Sequence, residues 1–279
     1  MSFPLLLLFN QQSSSSRTTK ANSSKTPSHH TKNSKNNNMS PPTTAVAQVF
    51  DNGVIRPASD LKTGDKVFLP PTDRNKDVIL DALRSLLNES NIVLEVGSGS
   101  GQHIYHFSNA YPRVTFQPTE YDLSLFSSIN AYTADLPANN RVNAPLELDA
   151  TNTRHWDAVS QAAGASNHPA GYDLVITTNV FHITPWTVAT GVVRGAGQVL
   201  KPGGYFVFYG AFKRDGKFNS EGNVQFDLTL RGRNPLWGVR DIAEIQKVAE
   251  TETQLKLVEV KDMPSNNYLV IFQKITLEE

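Results

Sequence analysis

Val93-Leu94-Glu95-Val96-Gly97-Ser98-Gly99-Ser100-Gly101-Gln102-His103 decides the fold. The apolar run Ile92 to Val96 reads as a short strand, and Gln102 to Asn109 as a helix. Between them stand three glycines at alternate positions. Glycine at a strand-to-helix turn lets backbone approach a ligand where a Cβ would clash. A dinucleotide fingerprint needs its third glycine three residues after the second, and position 102 is Gln. That disfavours a nicotinamide-dependent oxidoreductase. A tight turn without any ligand is the alternative reading.

Working outward, strands and helices alternate. A helix is expected over Asn75 to Leu87, with Asp73 as a candidate cap. Strand two covers Val114 to Thr119, followed by a helix from Ser124 to Ala134. Strand three is Leu146 to Leu148, then a helix from His155 to Ala163. Leu174 to Ile176 is strand four, and Val188 to Leu200 a helix stopped by Lys201-Pro202-Gly203-Gly204. Tyr205 to Tyr209, a helix over Val239 to Glu250, and strands Leu255 to Val260 and Tyr268 to Gln273 complete the chain. Such alternation predicts an α/β fold: a Rossmann-like, mostly parallel seven-stranded sheet with helices on both faces. The last two strands are joined by a loop too short for a crossover, so the last strand runs antiparallel. Ligands in such sheets bind beyond the carboxyl ends of the strands.

Composition narrows the chemistry. The 279 residues contain no cysteine, which excludes disulfides, thiolate metal sites and iron–sulfur clusters. Lys plus Arg and Asp plus Glu balance at 26 each, but Arg17, Lys20, Lys25, Lys32 and Lys35 all precede the first acid, Asp51. The remainder is mildly acidic, a poor default surface for DNA. No apolar run is long enough to span a membrane. Residues 1–43 are a low-complexity tail expected to be disordered, with an organellar transit peptide (plastid or mitochondrion) or an alternative start at Met39 as other readings. Residues 44–73 read as a linker, and 74–279 as the catalytic domain; without targeting the compartment would be the cytoplasm.

Acids follow the glycines in register. Glu95 lies two residues before Gly97, and Glu120 ends strand two in Gln117-Pro118-Thr119-Glu120. An acid at that strand end can accept hydrogen bonds from both hydroxyls of a ribose. Asp149 ends strand three, where it either meets an adenine amino group or caps the turn before Thr151. An acid before G-x-G-x-G resembles motif I of the S-adenosylmethionine-dependent methyltransferases. The cofactor's sulfonium and amino group are cationic and favour a nearby carboxylate.

Asn179-Val180-Phe181-His182-Ile183-Thr184-Pro185-Trp186 follows strand four, the edge that would face a transferred methyl group. His182 is the candidate general base, or else a histidine that locks the loop. The Asn/Asp-Pro-Pro-aromatic signature of amino-group methylation is absent, which argues against DNA-adenine or glutamine substrates. His103 and His106, one helical turn apart, lack a third ligand, so no metal is expected.

Residues 74–274 resemble the methyltransferase-like protein 26 family. The matching stretches are Arg74-Asn75-Lys76, Leu94 to His103, Gln117 to Glu120, Leu148-Asp149, and Asn179 with His182 and Pro185. Tyr209-Gly210, Asn223, Phe226-Asp227, Arg233-Asn234-Pro235, Trp237-Gly238, Arg240-Asp241, Met263-Pro264 and Asn266-Asn267 also match. Ala211 departs from the proline usual there. The resemblance implies a class I methyltransferase fold and S-adenosyl-L-methionine as cofactor. It implies cofactor contacts from Arg74, Asn75, Glu95, Gly97, Ser98, Gly99, Gly101, His103, Glu120, Asp149 and Asn179. His182, Asn179 and Tyr209 are the catalytic candidates, and Asn223, Asp227, Trp237 and Arg240 the walls of a small-molecule acceptor site. A cofactor-binding regulatory protein without turnover is the competing reading.

Overall fold

The computed structural model describes residues 48–51, 54–57 and 61–276. The low-complexity tail therefore lies outside the described residues. Strands β1 (Gln48–Asp51) and β2 (Val54–Pro57) pair antiparallel, as do β3 (Lys62–Thr63) and β4 (Lys66–Val67). Helix α1 spans Pro70–Glu89, five residues ahead of the expected start. Pro70-Pro71 falls within the expected linker, but proline suits the first helical turn, where its missing N–H has no intrahelical acceptor. Leu69 is the N-cap residue and Asp73 lies inside the first turn. The end of the supposed linker belongs to the folded body: Val67 N donates to Ser128 Oγ at 2.9 Å and Leu69 N to Gln102 Oε1 at 2.5 Å.

Beyond α1 come β5 (Ile92–Val96), α2 (Gln102–Ala110), β6 (Thr115–Glu120) and α3 (Phe126–Thr133). The third strand is split into β7 (Arg141–Val142) and β8 (Leu146–Glu147), both parallel to β6. Then follow α4 (Thr153–Ala165), β9 (Tyr172–Thr178), α5 (Trp186–Val199), β10 (Leu200–Gly210) and β11 (Phe212–Lys213). The chain continues through α6 (Glu221–Arg233), β12 (Arg240–Asp241), α7 (Ile242–Glu252), β13 (Leu255–Met263) and β14 (Asn267–Lys274).

The main sheet has the order β13-β14-β10-β9-β5-β6-β7, with β8 continuing β7 beside β6. Its strands are parallel from β10 to β7, and β14 is inserted antiparallel between β10 and β13. This is the expected class I methyltransferase architecture, with the third of its seven positions filled by two short pieces. Every residue of β5 and β9 is buried, as a strand covered on both faces requires. One core packs Ile79, Leu83 and Leu87 of α1 with Ile104 and Phe107 of α2 onto one face. On the other, Trp156, Val192 and Ile245 bring in α4, α5 and α7. Burying one such side chain contributes about 1.5–3 kcal/mol, so these two layers hold the strand ends rigid.

Helix α6 is absent from the expected elements. Its sequence carries Gly222 and Gly232 and an exposed Leu228, so it lacks a clean apolar stripe. Its start is nonetheless capped, with Ser220 Oγ accepting from Asn223 N at 3.1 Å.

Candidate active site

The loop after β5 is tied to the neighbouring strand. Gly97 N and Ser98 N donate to Thr119 O at 3.0 and 2.8 Å, and Thr119 Oγ1 donates to Glu95 O at 2.7 Å. Gly97 (φ 74°) and Gly99 (φ 57°) both adopt the left-handed conformation, which L side chains rarely take. Gly101 is left-handed too, at φ 91°, and carries a second constraint. A Cβ there would lie 2.8 Å from Ile129 Cα, so this third glycine serves the packing of α2 against α3.

A cavity of about 460 Å³ opens beside Gly97, Ser98 and Gly99. Of the expected cofactor contacts, Arg74, Asn75, His103 and Asn179 also line it. His103 Nε2 meets Asn75 Oδ1 at 2.8 Å, and its ring stacks on Phe107 at 5.4 Å. Burial holds the His103 imidazole down at about 3, so it is neutral. His103 Nδ1 lies 3.8 Å from Glu95 Oε1. Glu95 is buried, and burial pushes its carboxyl up to about 8. Glu95 Oε2 and Ser98 Oγ have no hydrogen-bond partner among the described residues. His106 faces Asp77 at 3.0 Å, and no group of three metal-ligating side chains gathers among the described residues.

Glu120 is wholly buried and its oxygens are already engaged. Oε2 accepts from Gly99 N at 2.8 Å, and Oε1 from Tyr121 N at 2.8 Å and Asp122 N at 3.0 Å. Burial outweighs these bonds and raises its carboxyl to about 7. The side chain thus braces the glycine loop. Asp149 follows the turn reading: its Oδ1 accepts from Thr151 N at 2.9 Å and from Thr151 Oγ1 at 2.7 Å. Glu95, Gly101, Glu120 and Asp149 all lie outside the cavity lining.

His182, Asn179 and Tyr209 do converge on the cavity. Asn179 sits at φ 59°, a conformation asparagine tolerates, and its N–H donates to Tyr209 O at 2.8 Å. A Cβ at Gly210 would lie 3.2 Å from Asn179 Oδ1 and 3.5 Å from His182 Nδ1, so bare backbone lets both groups in. Tyr209 Oη accepts from Asn267 Nδ2 at 3.0 Å. His182 lies in a 3₁₀ turn, Phe181–Ile183, with its ring edge-on to Phe226 at 5.1 Å. Burial, aided by the Arg240 charge, holds its imidazole down at about 4.

The expected acceptor walls divide. Trp237 lines the cavity, with Nε1 buried and without a partner among the described residues. Arg240 instead clamps the histidine turn: Nε donates to Phe181 O at 3.1 Å, and Nη2 to Thr184 O and Leu236 O, both at 2.6 Å. Asp227 accepts from Val239 N at 2.7 Å and Arg231 Nε at 2.8 Å. Asn223 Nδ2 donates to Asn219 Oδ1 and Asn266 O, both at 2.8 Å. These three shape the wall from behind. The wall itself is Phe226, Leu230 and Arg233 of α6, with Pro264, Ser265 and Asn267 of the β13–β14 turn. Sequence reasoning passed over these six as site residues, although Phe226, Arg233, Pro264 and Asn267 stand within the stretches that carry the family resemblance.

The residues fit a cofactor with a cationic centre and a carboxylate. The glycine cradle admits close approach, Ser98 Oγ in the lining and Glu95 Oε2 behind it are buried without partners among the described residues, and Arg74 lines the cavity.

Solved structures share this architecture. An O-methyltransferase family protein from Burkholderia thailandensis superposes with a TM-score of 0.61 at 15% identity, over 74% of this chain and 58% of its own. Human N-acetylserotonin methyltransferase, solved in complex with SAM, gives 0.56 at 12% identity over 74% and 53%. The S-adenosylmethionine-dependent methyltransferase SibL, in its apo form, gives 0.57 at 15% over 74% and 56%. The chain spans little more than half the length of these proteins, and at such identities the likeness establishes the fold. A family model described as "Protein of unknown function (DUF938)" matches residues 66–274, and the chain belongs to that family.

Proposed function

We propose that this protein is an S-adenosylmethionine-dependent methyltransferase acting on a small-molecule acceptor, of the methyltransferase-like protein 26 type. The observation that carries the reading is one cavity joining the left-handed Gly97 and Gly99 to His182, Asn179 and Tyr209. S-adenosylmethionine supplies, when bound, a methyl group on a positively charged sulfur. The chain's part is to hold and orient. Arg74 suits the cofactor's carboxylate, and Glu95, once ionised, favours its cationic end from behind the lining residue His103. His182 is neutral at physiological pH and receives the proton leaving an acceptor hydroxyl. Tyr209, fixed by Asn267, and Asn179, fixed by its backbone, set the acceptor's angle of approach, and orientation of this kind supplies much of the acceleration in group transfer. Glu120 acts by bracing the loop from behind.

Isothermal titration with S-adenosylmethionine and S-adenosylhomocysteine tests the reading. Absence of binding to both refutes it. The low basicity of His182 favours a second reading, a cofactor-binding protein without turnover. Transfer of label from methyl-labelled cofactor to any small molecule of a cell extract eliminates that alternative.

A further inference from the structure

Tyr209 has a proton to give. Asn267 Nδ2 donates to Pro264 O at 3.2 Å and to Tyr209 Oη at 3.0 Å. A carbonyl oxygen can only accept, so Pro264 O fixes which end of the Asn267 amide faces it. The phenol oxygen therefore receives one hydrogen bond from that amide and keeps its own O–H for another partner. Among the described residues no acceptor for this proton lies within hydrogen-bond reach, and Tyr209 lines the cavity. Burial raises the phenol above its usual range, so it stays protonated at neutral pH and serves as a donor.

The fold sets this donor across the sheet from His182. Side chains alternate along β10: Val207 and Tyr209 pack in the layer of α1 and α2, Phe206 and Phe208 in that of α5 and α7. A Cβ on Gly210 would return to the second face, where it would lie 3.5 Å from His182 Nδ1. The two polar groups thus reach one cavity from opposite faces of the sheet. Strand β9 separates β10 from β5, which keeps Tyr209 away from the glycine loop and on the acceptor's side. A ligand that meets both groups needs two separate polar atoms on one body, and apolar Val78, Ile183 and Leu230 line the same cavity.

Resting on the methyltransferase reading, we propose that the methyl acceptor is a hydroxylated carbonyl compound, with its hydroxyl at His182 and its carbonyl oxygen accepting a hydrogen bond from Tyr209. Tyr209 is then the residue that selects for the carbonyl. An analogue with alkyl carbon in place of that oxygen leaves the buried phenol unpaired, and a site built to hydrogen-bond its ligand rejects such an analogue.

The test reads binding to the full chain saturated with S-adenosylhomocysteine. The probes are the ortho, meta and para hydroxyacetophenones, each matched with the isopropylphenol of the same substitution pattern. At least one ketone should bind about tenfold or more tighter than its alkyl counterpart. Tyr209→Phe should remove that preference while S-adenosylhomocysteine affinity stays within about twofold. Asn267→Asp should remove it too, although the tyrosine remains, because a carboxylate accepts the phenol proton and diverts it from the ligand. Melting curves of both variants guard against misfolding. Equal binding of ketones and isopropylphenols overturns the proposal, as does failure of every ketone to bind or a preference that survives Tyr209→Phe. A large loss of S-adenosylhomocysteine affinity in a folded Tyr209→Phe protein also overturns it, by placing the phenol at the cofactor. Absence of S-adenosylhomocysteine binding by the unmutated protein refutes the methyltransferase reading instead, so the two failures are told apart.

Discussion

If S-adenosylmethionine binds as proposed, Glu95, buried behind the lining residue His103, should make its binding a proton-releasing event. Its carboxyl is held up at about 8 by burial, so the free protein carries it mostly protonated at neutral pH. A cationic ligand beside it favours the carboxylate and drives its pKa down. If the bound value falls to about 5 or below, binding at pH 7 releases about 0.9 proton. Between pH 7.5 and 6 the dissociation constant should then rise about twentyfold, because a growing fraction of the free protein must first lose that proton. The sign follows from the raised value: affinity falls as pH drops below about 8. Calorimetry in buffers of different ionisation enthalpy reads the proton count directly. Glu95→Gln should abolish both the release and most of the pH slope. A slope that survives in that variant assigns the proton to Glu120, whose carboxyl stands at about 7. A flat profile in the unmutated protein would refute the reasoning.

Glu120→Gln places an amide N–H against backbone donors now bonded to the carboxylate, leaving at least one of Gly99, Tyr121 or Asp122 N–H unsatisfied. We expect a loss of about 1–3 kcal/mol, read as a melting temperature several degrees lower; an unchanged melting curve would remove the bracing role. Gly99→Val should abolish S-adenosylhomocysteine binding, since a β-branched residue does not accept φ 57° without strain; normal titration of a folded variant would dismiss the loop as the cofactor cradle. His182→Ala should lower turnover about 10²–10⁴-fold with cofactor affinity within threefold. With the imidazole at about 4, the wild-type rate at saturating cofactor should show no His182 step near 6.5 and lose its His182 contribution only on acidification through about 4. A normal rate per folded variant molecule assigns His182 to loop structure.

The sheet was legible in the sequence because its strands are short apolar runs separated by helices of clear period, and because Gly97-Ser98-Gly99 interrupts the first of them at the ligand edge. What escaped had conflicting local signals. Pro70-Pro71 carries the same letters whether it stops an extended segment or opens a helix, and the structure uses it for the latter. Helix α6 hid behind two glycines and an exposed leucine. Polar residues were the harder problem. The resemblance offered Asn223, Asp227 and Arg240 as acceptor walls, and only coordinates show which groups of their own chain they bond: Asn219 Oδ1 and Asn266 O, Val239 N and Arg231 Nε, and the carbonyls of Phe181, Thr184 and Leu236. Glu120 ends its strand as expected and Asp149 lies two residues past one, yet only coordinates show that both Glu120 oxygens and Asp149 Oδ1 accept from their own chain. The neutral state of His182 was equally out of reach, since it depends on how deeply Phe226 and the 3₁₀ turn enclose the ring.

Helix α6 is fastened to the turn between β13 and β14, where Ser265 and Asn266 both take left-handed angles and Asn266 O receives two asparagine amides from the helix region. The hydrogen bonds that hold this wall are made largely within it, and its apolar cluster is separate from the two layers that pack against the sheet. Phe226 and Leu230 thus lie outside the two apolar layers that carry β5 and β6. On the methyltransferase reading, mutagenesis of one helix face should then alter selectivity for the acceptor without renegotiating how the methyl donor is held.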